Sequence, residues 1–148
     1  MNFEKLLNKD KINIVNNSCI TIKNFNTGKF LSINDNNNLI CSKDPYNFIL
    51  CKKNEKEEEE MIVTNDEIIL IGNYDFNFII AKDNKFIFCD EFNPYIFDSD
   101  IIKLISFNNR KNVICSDYQF KDKNKVQLVE IKENSNDNNQ NWIINIQN

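Results

Sequence analysis

The sequence carries many carboxylates but no histidine, which limits the chemistry that its side chains can perform. Serine–histidine–aspartate and cysteine–histidine catalysis, histidine zinc sites and an imidazole pH switch are all excluded. The five cysteines are odd in number and contain no C-x-x-C pair: Cys19, Cys41, Cys51, Cys89 and Cys115. This pattern favours free, buried thiols over a catalytic or metal-binding role. No two carboxylates form a recognisable catalytic pair, so we expect no enzyme activity and no cofactor. Without histidine or a C-x-x-C pair we also expect no metal site.

Composition and charge limit the class of protein and its partners. The 148 residues suit one domain, and 18 basic against 22 acidic residues give a net charge of −4. This acidic balance argues against a nucleic-acid partner. No apolar run approaches the roughly 18 residues that a membrane span needs. Residues 1–17 contain no apolar core of a secretory signal, so we expect a cytoplasmic protein, while secretion after signal removal stays open.

Short apolar segments alternate with polar turns beyond residue 17, which is typical of an all-β protein. The twelve strand candidates are 18–23, 29–33, 39–42, 47–52, 67–71, 77–81, 85–89, 95–98, 101–107, 112–116, 125–131 and 141–146. The chain has 29 Asn but only 2 Gly. Since asparagine tolerates the left-handed backbone conformation, we expect it to take the place of glycine in the turns.

The strand candidates repeat as three units of four strands. Second-strand anchors and fourth-strand aromatics recur at spacings of 34 to 49 residues (Leu31, Ile80 and Ile114; Phe48, Phe97 and Trp142). An insertion at residues 52–60 and a longer last loop account for the unequal spacing. Three four-stranded units with pseudo-threefold symmetry predict a β-trefoil. We expect an N-terminal arm at residues 1–17 and the trefoil domain at residues 18–148.

The last unit carries residues that resemble a known family. It ends in Gln140-Asn141-Trp142, preceded by Asn139, and contains Val126-Gln127-Leu128 about a dozen residues earlier. These residues resemble the ricin-B-type lectin trefoils, whose units close on Q-x-W. The resemblance implies a non-catalytic carbohydrate-binding module with a glycan or glycoprotein partner. We expect Gln140 and Trp142 to be structural, with Trp142 in the core and Gln140 holding a turn.

The resemblance also implies a sugar pocket that this chain only partly retains. In the family a carboxylate follows the apolar anchor of the second strand, and an aromatic ring stacks on the sugar. Here the three carboxylate positions hold Ser32, Ala81 and Cys115, and the stacking position holds Val129. No unit has cysteines on both its second and third strands, where such lectins often form a disulfide.

Other residues of the last unit offer replacements for the lost groups. Gln127 and Asn139 retain the amides, and Asp117 lies two residues beyond Cys115, on the same strand face if the strand continues. Tyr118 or Phe120 could stack on a sugar from the loop. The candidate carbohydrate-binding residues are therefore Asp117, Gln127, Asn139 and Tyr118, in a site that is degenerate or altered.

A protein-interaction trefoil of a structural, cytoskeletal or inhibitor type is the alternative. The loss of all three carboxylates favours it, whereas the retained amides favour a lectin. The segment 52–60, KKNEKEEEE, is either a solvated loop or an acidic docking tip for a basic partner. Aromatic residues near loops would either anchor such an interface or fill the core (Tyr74, Phe76, Phe92 and Tyr95).

Overall fold

The computed structural model of the protein describes residues 11–52, 60–74, 77–119, 127–132 and 138–147. For residues 74, 77, 80–83, 116–119, 127, 128, 130–132 and 138 it describes the backbone alone. The described residues form ten strands and one 3₁₀ helix, Asn138–Gln140. The strands are β1 Cys19–Asn24, β2 Phe30–Ile33, β3 Leu39–Ser42, β4 Phe48–Lys52, β5 Glu67–Tyr74, β6 Asn77–Cys89, β7 Ile101–Ser106, β8 Asn112–Gln119, β9 Gln127–Lys132 and β10 Asn141–Ile146. The predicted all-β class is thereby confirmed.

Six of the strands close into a ring through antiparallel pairing. The pairing runs from β1 to β4, β5, β6, β7 and β10, and β10 pairs again with β1. The β2–β3 and β8–β9 hairpins lie outside this ring and are joined by pairing between β3 and β9. Isoleucine dominates the buried positions of the ring, and β-branched side chains suit pleated strands. Burying one such side chain contributes about 1.5–3 kcal/mol relative to leaving it exposed.

The register of the ring is repeated three times along the chain. Phe48 pairs with Gly72, Phe86 with Ser106, and Trp142 with Asn24. On their other side the same three aromatic residues pair with Ile20, Ile68 and Ile102. Along the sequence, 48 residues separate Ile20 from Ile68 and 34 separate Ile68 from Ile102. All three aromatic side chains are at most 2% exposed. Each third of the ring thus places one aromatic ring in the core.

The middle third departs from the predicted four-strand pattern. The predicted strands 77–81 and 85–89 are one continuous strand, β6, and residues 95–98 form only isolated bridges. Four strands in this unit are therefore not confirmed, because its described residues form a single β5–β6 hairpin. The prediction that Phe97 is the fourth-strand aromatic of this unit is also wrong. The end of β6 pairs with β7 and puts Phe86 in the equivalent core position.

Three short segments form a hydrogen-bonded cycle at one end of the ring. The Ile14 N–H donates to the Ile96 carbonyl, that of Ile96 to Ile62, and that of Ile62 to Ile14, at 2.9, 3.2 and 2.9 Å. All three side chains are fully buried. Because Ile14 belongs to this cycle, the predicted arm at residues 1–17 contributes to the core; residues 1–10 lie outside the described part of the chain.

A tight turn follows each segment of the cycle, at residues 15–18, 63–66 and 97–100. The third residue of each turn is left-handed: Asn17 at φ 67°, Asn65 at φ 74° and Ser99 at φ 68°. Asn37, in the β2–β3 turn, is left-handed as well at φ 62°. Asparagine therefore occupies the conformation that glycine usually adopts, which confirms the expectation from composition.

Candidate functional site

The β8–β9 hairpin carries three of the predicted carbohydrate-binding residues. Asp117 and Tyr118 lie near the end of β8, and Gln127 is the first residue of β9. Cys115 pairs with Val129 and Gln119 with Gln127. Three residues of β8 but one of β9 lie between these two pairs, so Asp117 and Tyr118 are part of a bulge. The backbone brings Asp117 and Gln127 to the same end of the hairpin.

Asn139, the fourth predicted residue, connects β8 to the turn between β1 and β2. Its side chain is 2% exposed, and its amide N–H donates to the Cys115 carbonyl at 2.8 Å. Its amide oxygen accepts from the Asn26 side chain at 2.5 Å, and its backbone carbonyl accepts from the Asn24 side chain at 2.8 Å. These bonds hold the Asn139 amide inside the protein.

The Q-x-W residues lie against the start of β8. Trp142 is fully buried, and its indole N–H donates to the Val113 carbonyl at 2.9 Å. The Gln140 side-chain oxygen accepts from the Asn112 amide at 3.2 Å. The tripeptide therefore joins β10 to β8 through one buried and one partly buried hydrogen bond.

The anchors of the second strands align differently from the prediction. The left-handed Gly28 and Arg110 end equivalent turns, where their N–H groups donate to the carbonyls of Asn24 and Ser106 at 2.9 and 2.8 Å. Leu31 lies three residues after Gly28 and Val113 lies three residues after Arg110, so these two residues are equivalent. The predicted alignment of Leu31 with Ile114 is wrong by one residue, because Val113 and Ile114 are both apolar and both buried.

A polar cavity of about 680 Å³ lies beside the β2–β3 hairpin, where the chain passes from β3 to β4 and where β5 pairs with β6. Its lining is mainly polar: Ser32, Asn34, Asp35, Asn37, Ser42, Asp44, Tyr46, Asn47 and Asn73, with Ile33, Pro45 and Ile79. The lining therefore combines two carboxylates, four carboxamides and three hydroxyls. None of these lining residues is basic.

Tyr46 forms part of the wall of the polar cavity. Its ring packs against Phe48 with centroids 5.0 Å apart, and its hydroxyl is buried without a hydrogen-bond partner among the described residues. Burial raises the pKa of this hydroxyl. Gly72 lies directly beneath it: a Cβ there would overlap the Tyr46 hydroxyl and come within 3.0 Å of the Ile79 carbonyl oxygen. A glycine at position 72 therefore leaves the space that the tyrosine occupies.

Side chain to backbone hydrogen bonds shape the rim of the polar cavity. The Asn34 side-chain oxygen accepts from the N–H groups of Asn36 and Asn38, at 2.9 and 3.0 Å. The Ser42 hydroxyl accepts from the Asp44 N–H at 3.3 Å. Because these bonds hold the two turns, the exposed carboxylates of Asp35 and Asp44 stand on fixed backbone at the rim.

This cavity is not predicted from the sequence, because the position on the second strand where the resembled family has its carboxylate holds Ser32. The acids come instead from the turn after β2 and from the segment after β3. The signal that could have found them is the cluster of Asn and Asp at residues 34–38, followed by Asp44. In a sequence such a cluster predicts only a turn. That the two segments contribute to one cavity is visible only in the structure.

The cysteines lie in several parts of the fold, and all five are free thiols. Cys41 and Cys115 are buried and hydrogen-bonded to each other, and this bond together with burial raises the pKa of Cys41. The described residues contain no group of three side chains that could hold a metal ion. Within the same residues, no helix has the length and apolar character needed to cross a membrane.

No family model matches the chain, and no curated protein matches it in sequence. Several solved structures match it in fold. A Caenorhabditis elegans protein of unknown function superposes with a TM-score of 0.72 at 14% identity, over 92% of this chain and 97% of that one. The SDF2-like protein from Arabidopsis thaliana gives 0.71 at 10% identity, over 90% and 94%.

The third match is a protein O-mannosyltransferase complex of S. cerevisiae, solved with its sugar donor, with a TM-score of 0.69 at 10% identity. The match covers 93% of this chain but 26% of that one, so this chain spans about a quarter of the length of the transferase. At identities this low the likeness concerns the fold alone. Together with the threefold register of the ring, it assigns the chain an all-β, trefoil-like fold.

Proposed function

We propose that the protein is a non-catalytic β-trefoil binding module, similar to ricin-B-type lectin domains, that binds a neutral carbohydrate in the polar cavity. The observation that carries this proposal is the lining of the cavity, in which two carboxylates, four carboxamides and three hydroxyls surround about 680 Å³. A volume of this size accommodates a small ligand.

The donor and acceptor inventory of the polar cavity matches a ligand rich in hydroxyl groups. Carboxylates accept hydrogen bonds from sugar hydroxyls, and these charge-assisted bonds are the stronger kind. Carboxamides both donate and accept, so they can pair with either role of a hydroxyl. Since its described lining residues include two acids and no base, the cavity favours a neutral sugar over an anionic one.

The proposed site is an altered version of the one that the ricin-B resemblance implies. Ser32 occupies the strand position of the family's acid, and we assign the acidic role to Asp35 and Asp44. Asp117, Gln127 and Tyr118 form a second candidate group, at the end of the β8–β9 hairpin. In this proposal Asn139 positions β8 and does not contact the sugar.

The free thiols support a reducing compartment, and we infer a cytoplasmic location from them. The thiols also fit the proposed lack of catalysis, because reactive cysteines require a lowered thiol pKa. Burial instead raises the pKa of Cys19, Cys51 and Cys89.

The test is a glycan array probed with the full chain, followed by titration of its strongest neutral glycan. We expect Asp44→Asn and Asp35→Asn each to weaken binding roughly tenfold, the scale of one charge-assisted hydrogen bond. Asp90→Asn is the matched control, because Asp90 lies outside the polar cavity.

Two results would contradict the proposal. The first is the absence of any neutral glycan that binds at millimolar concentration. The second is a glycan whose binding survives both polar-cavity substitutions but is lost on Asp117→Ala or Gln127→Ala, which would assign the site to the β8–β9 hairpin instead.

A further inference from the structure

A second cavity of about 690 Å³, which we call the aromatic groove, lies where the chain leaves β6 and reaches β7. Residues following β6, residues of β7 and the β1–β2 turn line it, so it is separate from the polar cavity. Its lining combines three exposed apolar side chains (Phe25, Phe92 and Ile101) with three acids and two lysines (Asp90, Glu91, Asp100, Lys11 and Lys103).

The apolar lining of the aromatic groove is exposed to an unusual degree. Phe92 is 96% exposed, Phe25 is 56% exposed and Ile101 is 49% exposed. Single exposed apolar residues are common, whereas several around one concave surface mark an interaction site. Aromatic side chains are also enriched at the centres of protein interfaces.

The acidic side chains of the aromatic groove differ in whether a basic side chain neutralises their charge. Glu91 forms an ion pair with Lys103. The Asp90 and Asp100 carboxyls are within hydrogen-bond reach of each other, and each accepts a backbone N–H at 2.9 Å, from Phe92 and Phe97 respectively. Two adjacent carboxyls therefore face the groove.

The fold does not require this carboxyl pair. The turn at residues 15–18 has the same backbone but ends in Ser18, whose hydroxyl accepts the Val15 N–H at 3.3 Å. A hydroxyl thus suffices for the turn. In the middle turn the equivalent Asp66 is paired with Lys52 at 3.2 Å. The placement of Asp100 beside Asp90 is specific to the aromatic groove.

A cation between the two carboxyls would compensate their charge. Lys11 is near, but its ammonium group lies over the Phe97 ring, 5.2 Å from the centroid. An arginine from outside fits better, because its planar guanidinium presents five donors and can bind two carboxyls at once. The residues that flank such an arginine would cover the exposed Phe25, Phe92 and Ile101.

We propose that the aromatic groove docks a segment of a partner protein that presents an arginine between apolar residues. The guanidinium binds the Asp90 and Asp100 carboxyls, and the apolar neighbours pack on Phe92, Phe25 and Ile101. This inference is independent of carbohydrate binding, since the two sites share no lining residue.

The test uses the full chain and blocked pentapeptides with a central arginine between leucine and phenylalanine, followed by NMR titration. Matched peptides carry glutamine in place of the arginine. We expect the arginine peptide to shift the resonances of Asp90, Phe92 and Ile101 and to bind roughly tenfold more tightly than the glutamine peptide. Phe92→Ser and Asp90→Asn should each weaken it by a similar factor.

Phe78→Ser is the control for Phe92→Ser, because Phe78 is 69% exposed but lies outside the groove. Asp44→Asn, in the polar cavity, is the control for Asp90→Asn. Equal binding of the arginine and glutamine peptides would overturn the proposal, as would binding that Phe92→Ser leaves unchanged. Self-association of the free chain, or binding to anionic vesicles, that is lost on Phe92→Ser would overturn it in favour of a second copy or a lipid surface.

Discussion

The turns at residues 63–66 and 97–100 have the same backbone and end in the same residue type, yet their carboxylates have different surroundings. In each, the last residue accepts the N–H of the first at 2.9 Å, from Val63 to Asp66 and from Phe97 to Asp100. Asp66 is paired with a lysine, whereas Asp100 faces the carboxyl of Asp90. The turn fixes where the carboxylate lies, and the neighbouring segment decides whether it stabilises the fold or is open to a partner.

Disrupting the hydrogen-bonded cycle that precedes both turns should have the largest effect on stability. Ile96→Ala removes a fully buried side chain from the cycle of Ile14, Ile62 and Ile96. We expect the free energy of unfolding to fall by about 3 kcal/mol, through lost burial and the cavity left behind. Urea denaturation followed by tryptophan fluorescence measures this, since Trp142 is in the core.

Ile12→Ala is the control, because Ile12 is 60% exposed and should change stability by no more than about 0.5 kcal/mol. If the two variants were equally stable, the cycle would not be the frame that positions both turns.

Removing the charge of Asp66 tests the compensated turn. Asp66→Asn keeps an oxygen for the Val63 N–H but removes the ion pair with Lys52, whose side chain and that of Asp66 are each 17% exposed. Because Lys52 keeps its ion pair with Glu60 at 2.9 Å, we expect a loss of only about 1 kcal/mol at pH 7. The loss should shrink at high salt, which screens the pair in the parent protein. A salt-independent loss would indicate that the turn, and not the charge, was damaged.

The two turns also show what the sequence could and could not predict. Alternation of apolar and polar residues predicts most of the strands, and asparagine predicts left-handed turns at Asn17, Asn37 and Asn65. The middle unit was misread because residues 82–84, Lys-Asp-Asn, resemble a turn. They lie instead within β6, opposite a register shift of β5 between Ile69 and Ile71, and the stretches of β6 on either side of them both pair with β5. The turn-like residues are thus accommodated as a bulge inside one strand.

The sites were harder to predict than the strands. The polar cavity combines residues 32–47 with Asn73 and Ile79, which approach one another through the pairing of β4, β5 and β6. The aromatic groove likewise joins the β1–β2 turn to residues 89–103. Periodicity describes one strand at a time, so it carries no information about which turns meet across the ring. Of the four aromatic residues that the sequence offers as interface anchors, only Phe92 is among the described residues that line this groove.

Removing the charge of Asp100 should have the smallest effect and the opposite sign to that of Asp66→Asn. Burial, and with it the Asp90 carboxyl, raises the pKa of Asp100 above its ordinary value of 3.8, although the Phe97 N–H and Lys11 oppose this. A carboxyl whose pKa is higher in the folded than in the unfolded state destabilises the folded state once the pH exceeds its unfolded-state pKa. Asp100→Asn removes this cost and retains an acceptor for the turn.

We therefore expect Asp100→Asn to be more stable than the parent at pH 7 by about 0.5 kcal/mol. The advantage should disappear as the pH falls below about 4, where Asp100 is protonated in both states. Urea denaturation of both proteins between pH 3.5 and 7.5 measures it. The other ionisable groups that line the groove are common to both proteins: Lys11, Cys89, Asp90, Glu91 and Lys103. A variant less stable than the parent at pH 7 would mean that Asp100 is compensated like Asp66, and the contrast between the turns would fail.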